Sequence, residues 1–175
     1  MTSTLAVLLD LCLLRRGPWD LASSPRLARD LVLIGLGADL LYVTLLDVPD
    51  GVPRVGLGLV LLLVIPSALL RWRGRSPRYP QTLAALAGTG ALFSLLFLLP
   101  GLWMDAHPVQ PGVAPASTQV LAGWAFLSLL CWRLLVIGRI LGQALDLPRV
   151  AGLGLALAWF LLELQLDRWL FGVPA

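Results

Sequence analysis

The sequence predicts an all-α integral membrane protein: a bundle of five transmembrane helices preceded by a short N-terminal interfacial helix. Three observations carry that expectation. Hydrophobic residues make up 58% of the 175 residues and charged ones 13%, about half the charged share of a soluble domain, and the mean hydropathy is +0.86. Five apolar runs approach the roughly 20 helical residues needed to cross a hydrocarbon core of about 30 Å. Arginine, the only basic side chain besides one histidine, gathers in alternate connections. Short loops rich in Lys/Arg stay on the cytoplasmic side, so such a pattern sets the threading of a multi-span chain.

Residues 1–24 read as a cytoplasmic segment and 25–175 as the membrane domain. The apolar stretch 5–14 is too short to span. With Asp10, Arg15 and Arg16 as its flanking charges and Gly17-Pro18 behind it, it suits either a helix lying in the headgroup interface or one packed under the bundle. Its basic residues follow the apolar stretch, the reverse of a cleavable signal peptide.

The first span is expected at about 27–46, with Ser24 as N-cap and Pro25 at the first helical position. The second is expected at 53–70, kinked near Pro66 and followed by the arginines of 71–78. The third runs over 80–99 and is stopped by Pro100-Gly101. The connection 100–116, with Pro108, Pro111 and Pro115 and no arginine, reads as a loop on the far side. The fourth span covers 117–141 and the fifth 149–171. Charge counting places the N-terminus in the cytoplasm and the C-terminus in the periplasm, with the bacterial inner membrane as the expected location. Trp72, Trp103, Trp124 and Trp169 fall near span ends, where an aromatic belt belongs.

Small residues mark the expected helix contacts: Gly138 with Gly142, Gly154 with Ala158, and the row Ala84, Gly88, Ala91. In lipid, close backbone approach drives helices together. Ionisable residues inside spans are the sharper signal, since each costs several kcal/mol at mid-depth unless paired or hydrated. Asp39, Arg133 and Glu163 are singled out, with Asp167 and Arg168 nearer the surface, and Asp39 with Arg133 forms a candidate ion pair.

Several chemistries are excluded or disfavoured. His107 is the only histidine, so haem held by two histidines of the chain is impossible. Cys12 and Cys131 fall in different environments, so no disulfide is expected, and no metal-ligand spacing exists. No cofactor is expected. The net charge of +3 sits at span ends facing anionic lipid rather than nucleic acid. No nucleophile–base set or phosphate-binding glycine loop appears, so the expectation is a non-enzymatic protein.

The opening Leu13-Leu14-Arg15-Arg16-Gly17-Pro18-Trp19-Asp20-Leu21, with Ser24-Pro25 following, resembles small bacterial members of the Yip-domain family of Ypt/Rab-interacting proteins. The resemblance implies an amphipathic cytoplasmic N-terminal stretch and five spans ending outside. It implies no functional residue. The functional expectation is a scaffold, assembly factor or accessory subunit whose partners are the lipid bilayer and a second membrane protein. The alternative is a small transporter or channel component using Asp39, Arg133 and Glu163. One geometric question separates the two: whether those three groups line one cavity or lie in separate contacts.

Overall fold

A computed structural model describes residues 3–108 and 115–172, whose regular elements are all helices, with no strand among them. Six helices follow in order: α1 (Thr4–Cys12), α2 (Pro25–Leu45), α3 (Gly51–Trp72), α4 (Tyr79–Ala106), α5 (Ser117–Ala144) and α6 (Arg149–Phe171), with 3₁₀ turns at Pro18–Asp20 and Ser76–Arg78. The elongated apolar helices follow from runs of Leu, Val and Ala between Pro- and Gly-containing connections. Ser24 caps α2 by accepting from the Leu27 amide, with Pro25 in the first turn.

Four helical segments are long and apolar enough to cross a membrane: Gly51–Trp72, Ser76–Ala106, Ser117–Ala144 and Arg149–Phe171. The first of the five expected spans is the one that differs. α2 has 21 residues, about 32 Å at 1.5 Å each, but it carries Arg26, Arg29, Asp30 and Asp39 within that length. Its charge, not its length, sets it apart.

α4 is the centre of the bundle. α2 packs along it most extensively, α5 and α3 flank it, and α6 lies against α5 and reaches α3. Twelve of its 28 residues are buried, from Thr82 through Phe97. Alanine and glycine over 84–91 keep its surface flat, so that Gly35 of α2 comes against the Ala87 carbonyl. Contacts fix the direction of each helix. Gln81 at the start of α4 donates to the Leu21 carbonyl just before α2. At the far end Gly101 of α4 meets Leu46 and Tyr42 at the end of α2.

One expected boundary is corrected by the structure. α4 does not stop at Pro100-Gly101 but runs through Pro100 to Ala106. Proline removes one backbone hydrogen bond, and the contact of Gly101 with Leu46 holds the last turns in place. The loop expected over 100–116 is therefore shorter, and its Pro111 lies outside the described residues. Of the two settings expected for the N-terminal helix, the structure shows the one packed on the bundle. Val7, Leu8, Leu11 and Cys12 are buried in the same core as α4 and α5. Leu8 fills the space over Gly88, where an added Cβ would lie 2.6 Å from it. The Trp132 indole N–H donates to the Cys12 carbonyl at 2.8 Å, satisfying an orphan group at the helix C-terminus. Val7 to Cys12, with Leu21, thus share one core with the long helices. Burial pushes the Cys12 thiol up to about 11, while Cys131 is exposed and both are free.

The arginine-rich end is tied by a cap on α5. Asp146 takes the left-handed conformation with φ 53, and the Leu147 amide reaches back to the Gly142 carbonyl at 2.7 Å, a Schellman closure. Arg78 donates to the Ala144 carbonyl at 3.1 Å and to Asp146 at 2.8 Å, and Arg75 pairs with the other Asp146 oxygen at 2.8 Å. Cations here meet the negative end of the helix dipole. The Arg78 hydrogen bond, with the charges of Arg75 and Arg73, holds the Asp146 carboxyl below its ordinary value.

α5 and α6 meet through glycine. Gly138 and Gly142 lie on Gly152 and Leu153, and a Cβ at Gly152 would overlap the Gly138 carbonyl oxygen and come within 2.8 Å of Gly142 Cα. On α6 the buried small pair is Gly152 with Ala156. Gly154 and Ala158, the expected pair, are exposed. Both pairs have the same spacing, and helix register chooses between them. Gly152→Ala therefore costs about 2–3 kcal/mol by forcing two backbones apart, whereas Gly154→Ala, with open space around it, is neutral or slightly stabilising. Thermal unfolding of the two variants in detergent checks this; equal midpoints would contradict the packing.

Candidate functional site

Inside the bundle, α2, α3, α4, α5 and α6 surround a cavity of about 210 Å³. Its walls are mostly Leu, Val, Ala and Gly, with Phe93, Trp159 and Phe160. Three ionisable side chains line it: Asp39 from α2, Arg133 from α5 and Glu163 from α6. Helix lengths put them at a common level. Counting at 1.5 Å per residue from the arginine-rich end, Asp39 and Glu163 each lie about 21 Å along their helices and Arg133 about 17 Å. A polar layer thus crosses the middle of an apolar bundle.

Each group has a distinct setting. Asp39 Oδ1 accepts from the Ser94 hydroxyl of α4 at 2.5 Å. Ser94 Oγ is also 3.1 Å from the Gly90 carbonyl of its own helix. Glu163 is mostly buried and close enough to Arg133, Asp39 and Asp167 to feel their charges, and it points toward Gly58 of α3, whose missing side chain leaves it room. No ion pair involves Asp39, Arg133 or Glu163 among the described residues. The expected Asp39–Arg133 pair is therefore not formed. α2 packs on α4, and the Asp39 carboxylate is met by Ser94 of that helix instead.

One turn beyond Glu163, α3 and α6 are joined by an ion pair between Arg54 and Asp167 at 2.5 Å, with the Arg54 guanidinium 5.2 Å over the Phe171 ring. Both partners are about three-quarters buried, which strengthens the attraction relative to an exposed pair. Arg54 to Gly58 and Glu163 to Asp167 are each four residues apart, so both pairs share one helix–helix seam.

Sequence reading singled out the three charges but missed Ser94 and the Arg54–Asp167 pair. The available signal for Ser94 was a hydroxyl in the otherwise apolar Phe93-Ser94-Leu95 stretch. Nothing in the sequence signals Arg54 with Asp167, which are 113 residues apart. Thr89 also lines the cavity, but its hydroxyl donates within α4, 2.7 Å from the Ala85 carbonyl. His107 caps α4 and stacks on Trp103 at 4.5 Å between ring centres, away from the cavity. Among the described residues no cluster of three or more His, Cys, Asp or Glu side chains is placed to hold a metal ion.

Compared with protein-family models, curated proteins and solved structures, the chain matches none.

An ionised group at this depth is a cost to folding unless something satisfies it. Asp39 has Ser94; Arg133 has no hydrogen-bond or ion-pair partner among the described residues. If Arg133 is kept for what enters the cavity rather than for stability, Arg133→Met leaves the thermal midpoint in detergent unchanged or higher. A fall of more than about 4 °C, roughly 1 kcal/mol for a chain of this size, would instead reveal a structural role.

Proposed function

We propose that the chain is a five-span integral membrane protein, α2 to α6 crossing the bilayer, that acts as a small ion carrier or channel component. One observation carries this reading: three ionisable side chains from three different helices face a single cavity at mid-bundle. A scaffold has no use for such a cavity, and each charge in it opposes folding. The reading therefore takes the transport alternative in preference to the scaffold or accessory-subunit expectation.

The chemistry of the cavity narrows the cargo. Pockets for drug-sized ligands enclose roughly 300–1,000 Å³, so about 210 Å³ suits an inorganic ion with water or a very small solute. Two carboxylates against one guanidinium leave a charge of −1 at full ionisation, which favours a cation. The apolar walls raise the strength of each charge interaction.

The orientation follows from arginine. Arg71, Arg73, Arg75 and Arg78 join α3 to α4 at the end where α2 begins and α5 finishes. The positive-inside rule puts that end in the cytoplasm of a bacterial inner membrane. α2 then crosses as the fifth span, its Arg26, Arg29 and Asp30 in the headgroup layer and its Asp39 in the cavity rather than in lipid. Five spans with an outward C-terminus also keep the architecture of the Yip-domain resemblance.

Purified protein reconstituted in liposomes tests the proposal by pH-dye and potassium-flux measurements. The native chain gives cation or proton flux above empty liposomes. Asp39→Asn and Glu163→Gln lower that flux at least tenfold while eluting as folded protein in size-exclusion chromatography. Flux equal to that of empty liposomes, or variants as active as the native chain, would overturn it.

A further inference from the structure

The Asp39–Ser94 contact holds more information than a hydrogen bond, because its protons can be counted. A serine hydroxyl has one hydrogen to give and can accept from others. Ser94 Oγ lies 2.5 Å from Asp39 Oδ1 and 3.1 Å from the Gly90 carbonyl oxygen. The carbonyl can only accept, and an ionised carboxylate can only accept. One hydroxyl hydrogen can point squarely at only one of the two oxygens.

Two arrangements satisfy the contact with the heavy atoms unmoved. With Asp39 ionised, the Ser94 hydroxyl donates to Oδ1 and leaves the Gly90 carbonyl with its own helical bond. With Asp39 protonated, the carboxyl O–H donates to Ser94 Oγ, and the serine hydrogen turns to the Gly90 carbonyl, the back-bond that helical serines make to the residue four before. Proton uptake forms one O–H bond on Asp39 and rotates one hydroxyl. Nothing in the α2–α4 packing has to break.

We infer that Asp39 is a proton-binding site and Ser94 the positioning residue that accommodates both of its protonation states. This rests on the carrier reading above and deepens it by naming the proton as the ion. The groups facing Asp39 from each packed element are compatible with that role. α4 supplies the hydroxyls of Ser94 and Thr89, α5 supplies Arg133 and α6 supplies Glu163, while the cavity lining from α3 is apolar. On its own helix, Tyr42 lies about one turn onward. A cavity of about 210 Å³ has room for several waters, each needing about 30 Å³ of liquid volume, so a hydrated path can reach from Asp39 to Glu163.

Infrared difference spectroscopy between acidic and alkaline pH on the full chain in lipid tests the site directly. A protonated carboxyl gives a C=O stretch that the carboxylate lacks. The expected result is a pH-dependent band that is lost in Asp39→Asn and moved to higher wavenumber in Ser94→Ala, where the carboxyl has lost its hydroxyl partner. Ser94→Ala removes one oxygen and supplies the comparison if Asp39→Asn folds poorly. A band unaffected by either substitution, or one that responds to sodium at fixed pH in place of protons, would overturn the inference. The band without flux in liposomes supports the proton site and sinks the carrier reading. Flux without the band sinks the proton site and leaves the carrier reading standing.

Discussion

In hydrocarbon, an apolar side chain gains nothing by exchanging lipid for another apolar neighbour, so helices hold together where their backbones come close. α4 meets that constraint with Ala84, Ala85, Ala87, Gly88, Gly90 and Ala91 in consecutive turns. Gly35 of α2 approaches its Ala87 carbonyl, and Leu8 of α1 drops into the space above Gly88. The same principle acts again where Gly138 and Gly142 of α5 receive Gly152 of α6. With small residues over these turns of α4, α2 and α5 both pack against it while α3 and α6 close the ring. The cavity is a consequence: small residues bring the backbones together, and the larger Phe93, Trp159 and Phe160 prop the walls apart.

Polar groups within such a bundle are held at a cost, and the described residues meet it in three ways. At the arginine-rich end, Asp146 and the last carbonyls of α5 are matched by Arg75 and Arg78 at an exposed surface, where each exposed pair contributes little alone. At the opposite end, Arg54 pairs with Asp167 through one guanidinium nitrogen, and the guanidinium lies on Phe171 while its Nε is buried without a partner among the described residues. Midway, Asp39 is met by a hydroxyl instead of a charge, and Arg133 and Glu163 face open volume. Ion pairs at both ends and, among the described residues, none in the middle is a distribution to which the carrier reading gives a purpose.

Much of this was legible in the sequence where the governing rule is local. Ser24 and Pro25 mark the start of α2 because a cap and a fixed φ act within one turn. The Gly138–Gly142 spacing places small residues on one face, and those two glycines do form the contact with α6. Its partner pair was not legible: Gly152 with Ala156 and Gly154 with Ala158 have equal spacing, and only the packed register decides. Pro100 misleads for the opposite reason. A local rule stops the helix there, but α4 continues to Ala106, with Gly101 packed against Leu46 at the end of α2. The segment 5–14 has no strong amphipathic signature, so whether it lies on the membrane or packs on the bundle depends on Gly88, far along the chain. Asp39, Arg133 and Glu163 stand out singly as charges in apolar runs. Their convergence depends on helix order and rotation, and pairing Asp39 with Arg133 overlooked a serine that reaches the carboxylate first.

The account rests on one claim, that the three charges share a cavity open to water rather than lying dry against lipid. Thiol reactivity measures this most directly, because a charged methanethiosulfonate reagent modifies only a thiolate that water reaches. With Cys131 replaced by serine, the rate is compared for Glu163→Cys, on the cavity wall, and Leu161→Cys, on the exposed apolar face of α6. The account predicts modification at 163 and none at 161 in lipid vesicles. Equal silence at both positions, or reaction at 161 alone, would contradict it.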